Sequence, residues 1–197
     1  AKDFVAFFNK VIQNNLKTKF FFPTALKGDL LTKEIIDVMM QGGAVGVNVS
    51  LESASPRMQQ VMRKNLDIGK FKENLDYICK NYPEAVTTLN TMHGFPTETE
   101  EEAMMTLNFI KEMKWVHFPY VHVVRIFPGT DLEKFALSHG VPRKAINESI
   151  DKSYHEVTPT LPFSKEFTEK YKLSFLKEYV LNKERLLKIL PAQMKHF

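Results

Sequence analysis

The sequence predicts an α/β fold of parallel strands with helices packed outside them, either as an open sheet or as part of a barrel. Two observations carry that prediction. Through the first 140 residues an apolar run with strand character is followed by a helical stretch, and the pair recurs at roughly 30–40-residue spacing. Strands joined through helices run parallel, because the crossover returns the chain to the same end of the sheet. Composition agrees: 8 glycines in 197 residues are too few for a glycine-rich all-β design, and the single cysteine, Cys79, excludes an internal disulfide framework.

The elements follow in chain order. Phe4, Phe7, Phe8, Val11 and Ile12 fall at helical spacing, so the first segment is an amphipathic helix. Lys19 to Pro23 reads as a short buried strand. Asp29 or Thr32 can cap the helix containing Glu34 to Met40, and Gly42 with Gly43 stops it. Residues 44–52 read as the second strand. Ser55 and Pro56 make an N-cap with proline at the first helical position, opening a helical stretch that breaks near Gly69 and runs to Tyr82. Ala85 to His93 is the third strand. Thr97 and Thr99 each precede a glutamate by three residues, the spacing of a capping box, ahead of a helix from Ala103 to Met113. Tyr120 to Phe127 is the fourth strand, and Pro128-Gly129-Thr130 turns into a short helix ending near Gly140. From about Asn147 to Phe163 the pattern lapses into a polar, proline-containing connection. The tail from Ser164 is helical again, with Phe167, Tyr171, Phe175 and Tyr179 spaced by four.

Composition removes several classes of function. Apolar residues at 44% and charged residues at 25% exclude a disordered tail, a collagen-like repeat and a coiled coil. No apolar run reaches the ~18 residues of a membrane span and no secretory leader opens the chain, so the expected location is cytoplasmic. The net charge is +4, and all of it lies in 164–197, which hold eight Lys/Arg against four Asp/Glu. The preceding 163 residues carry 19 of each sign, so a broad basic field for nucleic acid is missing and nucleic acid is not the expected partner. The basic tail fits either an anionic surface or a solvated helix that sets its aromatic stripe on the sheet.

In parallel α/β folds ligands gather at the carboxyl ends of the strands. Here those ends are Ser50-Leu51-Glu52-Ser53, His93 to Thr99, and Arg125 to Thr130. Strand alternation puts Asn48, Ser50 and Glu52 on one face and Val47, Val49 and Leu51 on the other. The apolar face suits helices; the polar face points into a lumen or cleft, where a ligand with hydroxyl or ammonium groups would satisfy Ser50 and Glu52. Glu52 could instead cap the next helix or pair with Arg57 or Arg63. Glu98 sits in an acidic cluster with Glu100, Glu101 and Glu102 that suits a helix start, while Gly94 admits a ligand close to the backbone. Arg125, inside an apolar strand, needs an ion pair or an anion. His93, His117 and His122 lack metal-ligand spacing, Cys79 reads as a buried helical thiol, and the nine Met fill core gaps. No Walker loop, dinucleotide fingerprint or nucleophile elbow is present.

Taken together these strand ends resemble the radical S-adenosylmethionine enzymes. The matching stretches are Thr24 to Met40 before a Gly-ended helix, Gly46 to Arg57 with Glu-Ser at the strand end and Lys64 soon after, the Gly-Phe-Pro-x-Glu-Thr turn at 94–99, and Pro128-Gly129-Thr130. The likeness covers about residues 20–140. It is nearest to the branch that often carries a cobalamin-binding domain upstream, which includes anaerobic Mg-protoporphyrin monomethyl ester cyclases. Thr97 stands where many relatives have Gly.

The resemblance implies a partial (β/α) TIM-like barrel, about four parallel βα units of six, over 1–145, then a linker over 146–163 and a helical C-terminal extension over 164–197. It implies that Ser50 and Glu52 contact the ribose or methionyl part of S-adenosylmethionine. Met92, Gly94 and the backbone beyond would lie near the adenine, as would Ile126 and Phe127, with Arg125 beside them as a further candidate contact. The family's three-cysteine loop for a [4Fe–4S] cluster is missing, and one cysteine cannot replace it. The expectation is therefore a C-terminal piece of a longer enzyme, inactive alone. The whole would cleave S-adenosylmethionine reductively to a 5′-deoxyadenosyl radical that abstracts hydrogen from a small-molecule substrate. Its electron donor would be a flavodoxin or ferredoxin, and cobalamin could enter through an upstream domain. Two other readings stand beside this one: a non-catalytic α/β ligand-binding module, and an RNA-modifying enzyme of the methylthiotransferase kind.

Overall fold

Four strands form one sheet in the order in which the chain makes them, and every neighbouring pair is parallel. In this computed structural model residues 2–150 and 162–194 are described. The strands are β1 (Phe20–Leu26), β2 (Ala44–Glu52), β3 (Val86–His93) and β4 (Phe118–Val123). Helix α1 (Lys2–Gln13) precedes β1 and α2 (Lys33–Gln41) joins β1 to β2. Helices α3 (Pro56–Val61) and α4 (Ile68–Asn81) join β2 to β3, and α5 (Glu100–Glu112) joins β3 to β4. A doubly wound sheet reverses its strand order at a switch point. This one adds each strand on the same side, which is how a (β/α) barrel is built. The fold is α/β and corresponds to part of a TIM-like barrel.

The core lies between the sheet and its helices. Val47, Val49 and Leu51 of β2 and Leu89 of β3 pack there with Ile36 and Met39 of α2, Phe71, Leu75 and Ile78 of α4, and Ile110 of α5. Phe4 and Phe8 of α1 meet Phe20 and Phe22 of β1 through tilted and edge-on rings. The opposite face of the sheet is open: Phe21, Phe118 and Tyr120 are 43–60% exposed. Gly46 is required beneath Phe21, because a Cβ there would stand 2.1 Å from its ring.

Most predicted boundaries hold, and the departures have local causes. Thr32 caps α2, while Asp29 sits in a short 3₁₀ turn and accepts the Asp67 amide. The break between α3 and α4 falls at 62–67, where Arg63 and Asn65 take positive φ, and Asp67 caps α4; Gly69 lies inside the helix. Lys19–Pro23 was expected to be buried, but β1 lies at the edge of the described sheet, has mixed exposure and continues to Leu26. β4 starts at Phe118 and ends at Val123, so Arg125, Ile126 and Phe127 follow the strand instead of closing it. After α6 (Asp131–Ser138), α7 (Arg143–Ile150) forms a helix through the first residues of the expected connection. The remainder of that connection, 151–161, and 195–197 lie outside the described residues.

The tail forms α8 (Lys165–Ser174), a π-helical turn (Phe175–Val180) and α9 (Lys183–Met194). Its aromatic stripe is set on the domain. Tyr171 packs with Ala103 and Leu107 of α5, and Tyr179 enters the main core, donating to the Met113 carbonyl at 2.5 Å. Arg185 accounts for one of the tail's cations. It is 4% exposed, stacks 4.4 Å over the Tyr179 ring, and one of its Nη atoms donates to the Val116 and His117 carbonyls at 2.6 and 2.7 Å. These carbonyls end the α5–β4 loop, so Arg185→Ala should lower the unfolding free energy by about 2–3 kcal/mol. Urea denaturation measures it, and a loss below about 0.5 kcal/mol would show that the tail docks without this contact.

Candidate functional site

The carboxyl end of β2 is built on a break in register. β2 and β3 pair in step from Gly46 to Ser50, then slip by one residue before Glu52, whose φ is +64°. Such a bulge re-aims a side chain at a strand end, and a positive φ in a glutamate is a strained conformation. It turns Glu52 back onto Ser50, whose hydroxyl donates to Glu52 Oε1. The Lys64 ammonium completes the group, 2.9 Å from Ser50 Oγ and 3.1 Å from Glu52 Oε1. Glu52 thus pairs with neither Arg57 nor Arg63 and caps no helix; Ser55 caps α3. Beside the group opens a groove of about 460 Å³, lined by Glu52, Met62, Lys64, Met92, Phe95 and Asp131 among others. That volume lies within the range of small-molecule sites, roughly 300–1,000 Å³.

The turn after β3 is held from inside. The Gly94 and Phe95 amides donate to Glu98 Oε2 at 2.7 and 3.2 Å, closing a tight turn in which Gly94 has φ +82° and Thr97 φ +73°. Thr99, not Thr97, is the cap of α5, in a reciprocal capping box with Glu102. Glu102 also accepts from Ser55 Oγ at 2.7 Å and takes both Nε and Nη2 of Arg57, which reaches on to the Thr97 carbonyl. The acidic cluster at the helix start is therefore not one solvated face. The Arg57 guanidinium holds Glu102 down to about 2. Burial pushes Glu98, 3% exposed, up to about 7 against the two amide bonds that lower it.

A polar line crosses the open face. Asn48 Nδ2 donates to the Pro23 carbonyl at 2.9 Å, which fixes the direction of the rest. Asn48 Oδ1 then accepts from Asn90 Nδ2, and Asn90 Oδ1 accepts from His122 Nε2 at 3.2 Å. One hydrogen-bond chain thus joins all four strands and assigns the His122 tautomer. The ring of Tyr120 stacks on His122 with centroids 5.8 Å apart.

The structure brings Glu52 and Met92 to one groove, with Ser50 buried behind Glu52 and Lys64, and with Gly94 in the adjoining turn. Ile126 is placed elsewhere, buried with Ala136 of α6 and Ile146 of α7. Phe127 is 51% exposed and Arg125 half-buried, both beyond the strand end. Lys64 was legible as the basic residue after the Glu-Ser end. The clamp by Glu98 was masked by its acidic neighbours, and the Asn48–Asn90–His122 line could be read only from strand register.

S-adenosylmethionine fits the groove in kind: a carboxylate and a hydroxyl for a ribose or an amino group, an ammonium for a carboxylate, and Met92 and Phe95 for a base. An iron–sulfur cluster does not fit the described residues. Cys79 faces the core toward Thr87, burial pushes its thiol up to about 12, and no group of three His, Cys, Asp or Glu comes together among them.

A sheet wound in this sense, with a polar groove at its carboxyl end, is the frame of an α/β-barrel enzyme. The model of the Radical SAM superfamily matches residues 2–110, and the chain belongs to that family. Membership implies an enzyme family that uses S-adenosylmethionine and a [4Fe–4S] cluster. The threonylcarbamoyladenosine tRNA methylthiotransferase MtaB of Bacillus subtilis (strain 168) is 28% identical over 132 residues, 66% of this chain and 27% of its own length. The MtaB of Aquifex aeolicus (strain VF5) is 28% identical over 161 residues, 80% of this chain and 37% of its own. The tRNA-2-methylthio-N(6)-dimethylallyladenosine synthase of Tropheryma whipplei (strain Twist) is 32% identical over 102 residues, 50% of this chain and 21% of its own. The chain thus spans between about a fifth and two-fifths of the length of these curated relatives.

Two outcomes test the site's local physics. Thr97 is β-branched in a conformation natural to glycine, so Thr97→Gly should raise stability by about 0.5–1 kcal/mol in thermal unfolding; a loss would mean that the Thr97 side chain holds the turn. For Glu98 the fold favours the neutral carboxyl. Its contribution is complete below the ordinary 4.5 and is lost as pH rises through about 7. Wild-type stability should therefore fall across that window by up to about 3 kcal/mol, and Glu98→Gln should flatten the fall. Equal unfolding free energies from urea titrations at about pH 5 and about pH 8 would refute this assignment.

Proposed function

We propose that the protein containing this chain binds S-adenosylmethionine in the groove at the ends of β2 and β3 and works on a substrate that faces the open side of the sheet. The observation that supports it best is that Ser50 and Lys64 converge on Glu52 at the edge of a groove that Lys64, Met92 and Phe95 also line. In this reading Glu52 and Ser50 receive the ribose hydroxyls or the methionyl amino group, and Lys64 takes the methionyl carboxylate. Met92, Gly94 and the turn backbone border the adenine, with Phe127 and Arg125 on the farther side. When bound with a reduced [4Fe–4S] cluster, S-adenosylmethionine supplies a 5′-deoxyadenosyl radical able to abstract hydrogen. The cluster's ligands come from outside the described residues, so the chain alone turns nothing over. This chain's part is to orient the cofactor and to keep water from it.

On the substrate side, His122, Asn90, Asn48 and Tyr120 offer hydrogen bonds and a stacked ring. A small molecule remains the first reading, with a flavodoxin or ferredoxin as electron donor, a cobalamin domain as an added part, and a cytoplasmic location. No described helix is long and apolar enough to cross a membrane. The second reading is an RNA-modifying enzyme. It is favoured by the tRNA-directed names of the relatives and by the cationic tail, and the balanced charge of the first 163 residues no longer tells against it.

S-adenosylhomocysteine, added at millimolar concentration to the chain, should shift the NMR signals of Ser50, Glu52, Met92, Gly94 and Phe95, and Glu52→Gln should reduce those shifts about tenfold. Shifts confined to other residues, or none, would remove the reading. Under dithionite the isolated chain should yield no 5′-deoxyadenosine above the reagent blank; a yield would show that the cluster can assemble here. A salt-dependent gel shift with tRNA separates the two substrate readings.

A further inference from the structure

Five buried side-chain polar atoms lack a hydrogen-bond partner among the described residues, and three of them belong to His93, Glu98 and Tyr171. These residues are 1%, 3% and 1% exposed. His93 ends β3, Glu98 closes the turn that follows, and Tyr171 comes from α8 in the C-terminal extension. The Tyr171 ring lies against the His93 ring with centroids 4.9 Å apart and planes 27° from parallel, and Phe163 stacks on the other rim of His93 at 6.1 Å. Such a concentration is unusual, since buried polar groups nearly always find partners.

The two oxygens of Glu98 differ. Oε2 holds the Gly94 and Phe95 amides, whereas Oε1 is bare and would take water if water could reach it. The groups that face the cluster are few. Arg57 and Glu102 act on Glu98 from the α3 and α5 side and largely satisfy each other, Lys172 acts on His93 from α8, and Glu98 acts on Tyr171. Tyr171 is the group of the extension that Glu98 acts on directly.

We propose that Tyr171 is a positioning residue for the turn after β3: packed on His93, it shuts the Glu98 carboxyl away from water and so keeps the clamp on Gly94 and Phe95 closed. The extension then acts, through that turn, on the groove that Met92 and Phe95 line. The consequence for the cofactor rests on the reading given under Proposed function; the clamp itself does not.

The experiment is a pH titration of the chain by NMR with hydrogen exchange, on wild type, Tyr171→Phe, Tyr171→Leu and Tyr171→Ala, with Tyr179→Phe as a control that loosens the extension at its other anchor, the Met113 carbonyl. In wild type the Gly94 and Phe95 amides should titrate together with a midpoint near 7, as Glu98 does. Tyr171→Phe keeps the seal and should keep that midpoint, as should Tyr179→Phe. Tyr171→Leu and Tyr171→Ala admit water, so the midpoint should fall by about one pH unit or more and exchange at Gly94 and Phe95 should quicken about tenfold. The mid-α5 amides should hardly change. If Tyr171→Ala does not fold, Tyr171→Leu, closer in volume, carries the comparison. A wild-type midpoint near the ordinary 4.5 overturns the proposal, as does an unmoved midpoint in Tyr171→Leu. Equal acceleration along α5 and the turn, the mark of a merely structural tyrosine, also overturns it. S-adenosylhomocysteine shifts at Met92 and Phe95 should weaken in Tyr171→Leu. If wild type shows no such shifts while the clamp titrates as stated, the cofactor reading falls and this one stands.

Discussion

The Glu102 carboxylate accepts the Ser55 hydroxyl, the Arg57 guanidinium and the Thr99 amide, and by doing so ties the loop after β2 to the loop after β3. A carboxylate so little exposed would be costly if any of these were missing. With all of them present it is held far below the ordinary range and stays charged. Arg57 is thereby engaged, and Glu98, one turn earlier, receives little of its charge. Two glutamates four residues apart are driven in opposite directions, one to about 2 by the Arg57 guanidinium and one to about 7 by burial. The groove inherits its shape from that division: Glu102 fixes where the loops meet, and Glu98 fixes how the second one turns.

The fold was legible because the alternation of strand and helix is a chain-local signal. Val47, Val49 and Leu51 against Asn48 and Ser50 declared which face of β2 meets helices, and Ser55-Pro56 and Thr99 declared helix starts. What depends on contacts distant in sequence was hidden. Ile126 reads like the other apolar residues of a strand, yet β4 stops at Val123 and Ile126 turns to α6 and α7. Glu98 looks like its acidic neighbours, yet only the shape of the turn brings its oxygen to two amides. Thr97 is the informative intermediate case: it occupies a place where glycine was expected, and its φ of +73° shows why. The backbone requirement is kept although the residue that meets it without strain is gone.

The chain belongs to the Radical SAM superfamily, and its polar groove lies at the carboxyl ends of β2 and β3. The two faces of the sheet divide the labour. The helix side is apolar, while the open side carries a line of amides and an imidazole whose direction is set by one proline carbonyl.

The strands at the two ends of the described order, β1 and β4, contain Pro23 and Pro119, and the two central strands contain no proline. A proline offers no amide hydrogen to a neighbour. A further strand laid on the side to which either proline's nitrogen points loses a rung of its ladder there, and a partner with an even repeat of amides and carbonyls gains less than it would beside β2 or β3. The same two residues that limit how this sheet can be extended also protect it from accretion into fibrous aggregates, a hazard that grows with every open flank.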